Sequence, residues 1–128
     1  MTDKVAYWLN IADDDISVAE DMYKTGHWLY VAFMCHQAIE KTLKAYWSAK
    51  CDEAPPYIHD LVRLLSGCGL TDEISEDYLS FIDVMKPMNI EARYPSYKES
   101  VSQRLNKDAC RRIIDTTKEL QQWIKDRL

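Results

Sequence analysis

Residues 28–50, WLYVAFMCHQAIEKTLKAYWSAK, decide the class of fold. Trp28, Val31, Ala32, Cys35, Ala38, Ile39, Leu43, Tyr46 and Trp47 recur at spacings of three and four, the period of one helix face, and neither glycine nor proline interrupts them. Upstream, residues 3–25 repeat the pattern with Val5, Trp8, Leu9, Ala12, Ile16, Ala19, Met22 and Tyr23, the aspartates lying on the opposite side and Gly26 placed to cap the C-terminus. So short a connection predicts an antiparallel helical hairpin. Downstream, the stretch from Cys51 to Ile58 holds Pro55-Pro56 and reads as a loop, and Leu61, Leu64 and Leu65 make a short third helix ended by Gly67 and Gly69. Thr71 reads as the N-cap of a fourth helix, with Asp72 and Glu73 in its first turn and Ile74, Tyr78, Phe81, Ile82 and Met85 as its stripe up to Pro87. No apolar period holds from Pro87 to Leu105, and Pro95 forbids a simple helix there. Asn106 caps a last helix that turns Ala109, Ile113, Leu120 and Ile124 inward. The expectation is one all-α domain over residues 1–128, an up-and-down bundle of four long or medium helices and a short one.

Composition agrees with this reading and excludes several classes. With 128 residues, 47% hydrophobic and 29% charged, the chain is long enough for a single core without a staple. Three glycines and four prolines leave little turn chemistry for an all-β fold. Cys35, Cys51, Cys68 and Cys110 form no C-x-x-C pair, which predicts reduced thiols and a cytoplasmic protein. Asp3, Lys4 and Asp13 to Asp15 interrupt any apolar leader, and no window approaches the ~18 apolar residues of a membrane span. The net charge of −5 argues against blanket binding of long nucleic acid. Its distribution is uneven, because residues 86–112 reverse the sign with Lys86, Arg93, Lys98, Arg104, Lys107, Arg111 and Arg112 against Glu91, Glu99 and Asp108.

The chemistry-bearing residues exclude more than they assign. A di-metal bundle site needs Glu-x-x-His, yet Lys24, Phe33 and Pro56 stand three before His27, His36 and His59. Cys35 and His36 are adjacent on a helix and diverge, so a zinc site with Cys51 and His59 is not expected, nor any other metal or cofactor. Asp13, Asp14 and Asp15 read as a solvated acidic face, and there is no Gly-rich phosphate loop or nucleophile elbow. Two polar clusters remain. The first is His36, Gln37, Glu40, Lys41 and Lys44, which reads either as a ligand-binding group or as the wet face of the helix with His36 at its boundary. The second is Arg93, Tyr94, Tyr97 and Lys98 in an irregular segment, where arginine suits phosphate and tyrosine rings suit a base or a partner. Packing of those tyrosines against the end of the bundle is the alternative.

The strings AFMCHQAIEKTLKAYW (residues 32–47), YIHDLVRLL (57–65) and ARYPSY (92–97), in this order, resemble the HEPN domain (higher eukaryotes and prokaryotes nucleotide-binding). The resemblance implies a helical bundle that dimerises, often paired with a small nucleotidyltransferase in a toxin–antitoxin or related two-component system. Many members of that family are metal-independent ribonucleases with an Arg-x4–6-His motif. That motif is absent here, since the first arginine is Arg63 and the last histidine is His59. The expected function is therefore a non-catalytic dimeric domain that binds a nucleotide-type ligand, a nucleotidyltransferase, or both. Its expected site is Arg93, Tyr94, Tyr97, Lys98, His36, Gln37, Lys41, Lys44 and His59, with Trp47, Phe33 and Leu29 as the dimer surface. The alternatives are a metal-independent ribonuclease with a composite site of Arg93, Lys98 and His36 or His59, and a purely structural dimerisation module.

Overall fold

In the computed structural model, the described residues are 2–91, 94 and 103–128. They form α1 (Asp3–Lys24), α2 (Trp28–Lys50), α3 (Leu61–Gly67), α4 (Glu76–Met85), α5 (Met88–Glu91) and α6 (Lys107–Lys125). Side chains close the exposed N–H groups at most helix starts: Thr2 accepts from Val5 N–H, Asp60 from Val62 and Arg63, Ser75 from Tyr78, and Asn106 from Ala109. Gly26 (φ 77°) and Gly69 (φ 85°) take the left-handed conformation that ends α1 and α3. In both turns two backbone bonds run back into the helix, His27 N–H to Met22 C=O and Leu70 N–H to Leu65 C=O being the longer loops.

Contacts along the helices give the topology. Trp8 meets Lys44 at one end of the α1/α2 pair and Tyr23 meets Trp28 at the other, so the two run antiparallel. Cys110 Sγ donates to the Trp28 carbonyl and Gln121 donates to Thr42 Oγ1, which sets α6 parallel to α2. Tyr78 packs on Trp123, while Phe81 and Val84 face Ala109 and Arg112, so α4 runs against α6. The result is the expected all-α up-and-down bundle. Its core is Ile39, Leu43, Leu61, Leu64, Leu65, Ile82, Met85, Ile114, Leu120 and Ile124, all fully buried. At about 1.5–3 kcal/mol per buried leucine, Leu61, Leu64 and Leu65 explain why α3 persists at 7 residues, well below the ~12–15 that an isolated helix needs.

The structure departs from expectation in four places. The fourth helix is capped by Ser75, not Thr71, because Leu70 C=O captures the Glu73 and Ile74 N–H groups in a turn and Glu76 and Asp77 supply the first-turn acids. A short helix, α5, lies in the stretch that carries no apolar period, anchored by buried Met88 and Asn89. The wet-face reading of α2 fails: Glu40 is fully buried and Lys44 is 5% exposed. Five consecutive residues, from Thr42 to Tyr46, are buried, and at about 100° per residue they cover the whole helix circumference. For the same reason Leu29 and Trp47 are not left over for a dimer surface, since Leu29 belongs to the core and the Trp47 ring packs directly over Gly67. Phe33 is half-buried.

Candidate functional site

Gln37, Glu40, Lys41 and Lys44 are spaced i, i+3, i+4 and i+7, so one stripe of α2 carries four polar side chains. Glu40 is their hub. Its carboxylate, 1% exposed, accepts from Lys41 Nζ at 3.1 Å and Lys44 Nζ at 3.3 Å through Oε2, and its Oε1 lies 2.9 Å from His59 Nδ1. Burial by itself would raise the Glu40 pKa, but the His59 hydrogen bond and the charges of Lys41 and Lys44 outweigh it and hold the carboxyl below its ordinary value. An ionised carboxylate only accepts, so the network places the proton of the His59 ring on Nδ1, leaving Nε2 for contacts on the other side. The His59 side chain is 54% exposed, a surface imidazole steered by a buried carboxylate.

The network continues into α5. Lys41 Nζ donates to Gln37 Oε1 at 2.9 Å, and Gln37 Nε2 donates to Asn89 Oδ1 at 2.8 Å. His59, Asp60, Lys86 and Asn89 line a depression of about 230 Å³, in which Lys86 Nζ stands 3.8 Å from Asp60 Oδ2. From α1, half-buried Asp15 faces Lys41 and Glu40, and desolvation raises its pKa to about 6 against the pull of Lys41. Imidazole, amide and ammonium groups around one depression can hydrogen-bond an anionic ligand, which would share the Lys86 ammonium with the Asp60 carboxylate.

Gln37, Lys41, Lys44 and His59 are thus brought together as one cluster. His36 is fully buried in α2 rather than at its boundary. Tyr94 is 57% exposed, whereas Arg93, Tyr97 and Lys98 lie outside the described residues, as does Pro95. Sequence reasoning missed the central role of Glu40 and the contributions of Asn89 and Asp15. The signal available was the helical spacing of the four polar residues inside an otherwise apolar helix; nothing local marks Asn89. Burial pushes the thiols up, Cys35 to about 12 and Cys68 and Cys110 to about 11, so these three are protonated and unreactive. Among the described residues, no three His, Cys, Asp or Glu side chains converge to hold a metal ion, and no helix is long and apolar enough to cross a membrane.

The sequence model of one family, the HEPN domain, matches residues 5–127. No curated protein matches the chain. Among solved structures, the fold is similar to the crystal structure of TT1696 from Thermus thermophilus, at 18% identity and a TM-score of 0.84, covering 99% of this chain and 100% of that one.

Proposed function

The chain belongs to the HEPN domain family, and from that premise we propose that it is a cytoplasmic, dimerising, non-catalytic domain that binds a nucleotide-type ligand, alone or with a partner nucleotidyltransferase of a toxin–antitoxin-like pair. The observation that carries this reading is the Glu40 hub, which gathers two lysines and a histidine about a buried carboxylate and holds His59 at a surface depression. His59 and Lys86 bind phosphate at the mouth, and Arg93 with Lys98, four and nine residues beyond Asn89 in the chain, adds positive charge. Tyr94 and Tyr97 stack or anchor. Absence of Arg-x4–6-His argues for binding over cleavage.

Calorimetric titration with ATP, GTP and a short RNA tests the reading. Binding is expected, weakened at least tenfold by His59→Ala with Lys86→Ala; because His59 also partners the buried Glu40, Lys86→Ala alone is the control that leaves the hub intact, and the thermal midpoint of the double variant is read beside its affinity. No heat with any of these ligands, together with no nucleotidyltransferase retained on affinity pulldown, overturns it. The ribonuclease alternative has one observation in its favour, the orientation of His59 by buried Glu40, which is how a general base is held. RNA cleavage by clean protein, abolished by His59→Ala, would establish that alternative instead.

A further inference from the structure

Beside the polar cluster, α1 and the 51–60 loop enclose a second cleft of about 220 Å³ lined by Lys4, Tyr7, Trp8, Lys44, Pro55 and Tyr57. Its aromatic groups are exposed in a way that core packing does not require. Tyr57 is 100% and Tyr7 59% exposed. Tyr57 occupies the centre of a three-residue turn closed by Ile58 N–H donating to Pro56 C=O at 2.9 Å, which holds the ring out from the loop. Tyr7 and Trp8 meet edge to face with centroids 5.3 Å apart. Lys44 joins this cleft to the site already described, for its ammonium lies 5.6 Å from the Trp8 ring centre and also donates to Glu40 Oε2.

We propose that this cleft receives the base of the nucleotide whose phosphate is held at the His59 and Lys86 depression, a proposal that rests on the nucleotide-binding reading above. Three features select a base. Aromatic faces stack any base without needing a particular hydrogen-bonding pattern. The volume suits one flat ring system and lies below the 300–1,000 Å³ of sites that enclose a whole drug-sized ligand. Exposed Lys4 at the rim suits a ligand that carries negative charge and counts against an aliphatic chain, which favours walls of leucine and valine; Lys44 is committed to Glu40.

The test is tryptophan fluorescence with adenosine, AMP, ATP and a short single-stranded RNA, paired with calorimetry. Emission quenches on titration with AMP or ATP, and the quench is missing in Trp8→Phe. Tyr57→Ala and Tyr7→Ala each weaken binding about tenfold, the scale of one lost stacking contact, with unchanged thermal midpoints because both rings are exposed. If nucleotide binds the Tyr7→Ala, Tyr57→Ala double variant as tightly as wild type, the base lies elsewhere and only this proposal falls. If the double variant loses self-association in light scattering but keeps nucleotide affinity, the cleft serves a second copy of the chain and the proposal is overturned. If wild-type protein binds no nucleotide by calorimetry, both readings fall together.

Discussion

Glu20 on α1 and Glu40 on α2 are each held by cations, yet the first side chain is 26% exposed and the second 1%. Glu20 accepts from Arg111 through both terminal guanidinium nitrogens, at 2.7 and 3.1 Å, and from Lys118 at 2.8 Å; Arg111 also bridges to Asp115 and stacks on Tyr23. The Arg111 hydrogen bond leads the causes that lower the Glu20 pKa to about 2. Both carboxylates are therefore ionised at neutral pH, but the surroundings make them different devices. The Glu20 group is a strap across the α1/α6 surface, where water screens each charge and every partner lies on one of two long helices. The Glu40 group is enclosed, so its charges depend on one another, and one member, His59, projects from the fold. A buried polar hub without its full set of partners is costly, which is why a site can be organised around it and a strap cannot.

Breaking the hub should have the largest effect. Glu40→Ala strands the Lys44 ammonium in a site 5% exposed, and a loss of about 3–5 kcal/mol is expected in urea unfolding. Glu20→Ala should cost only about 1–2 kcal/mol, since its partners regain water. It should also flatten the acid limb of stability. With a folded pKa near 2 against an ordinary 4.5, Glu20 contributes fully above about pH 4.5 and loses its contribution as pH falls toward 2. A wild-type and variant difference that stays constant from pH 6 to pH 2 would contradict the strap assignment.

Asp15, at the edge of the hub, has the opposite sign. Its pKa, raised by burial to about 6, means that above pH 6 the folded state bears an ionised, half-buried carboxylate, a cost that fades as pH falls from 6 toward 3.8. Asp15→Asn should therefore stabilise by about 1 kcal/mol at pH 7 and by almost nothing below pH 4, read from chemical denaturation at several pH values. The smallest effect belongs to the outer strap: Lys125→Ala removes a 3.2 Å pair to Asp13, itself 59% exposed, and should cost no more than about 0.5 kcal/mol, vanishing near 1 M salt. A larger, salt-insensitive loss would show that α1 and α6 are joined by more than screened charge.

Much of the fold was legible because the helices announce themselves twice, through apolar period and through caps. Gly26 and Asn106 do in the structure what their residue types suggest. Thr71 misleads because Thr and Ser both favour the N-cap, and the turn closed by Leu70 leaves that role to Ser75. The short helix at Met88 was invisible to periodicity, since four residues make one turn and cannot repeat. At the candidate site, Gln37, Lys41 and Lys44 were recognisable as polar residues in an otherwise apolar helix and His59 as a candidate polar contact, but their arrangement about Glu40 was not.

Read by itself, the sequence determined the helical class, the principal boundaries, the reversal of charge after Lys86 and the impossibility of an Arg-x4–6-His pair. Only the tertiary structure decided that the polar stripe of α2 turns inward, that Leu29 and Trp47 are packing residues, and that Lys41, Lys44 and His59 gather about a buried Glu40. The physical reason is that periodicity reports which face of a helix is apolar, whereas burial depends on how many neighbours surround it. His59 reaches Glu40 from 19 residues away and Asn89 reaches Gln37 from 52 away, distances over which no local pattern carries information.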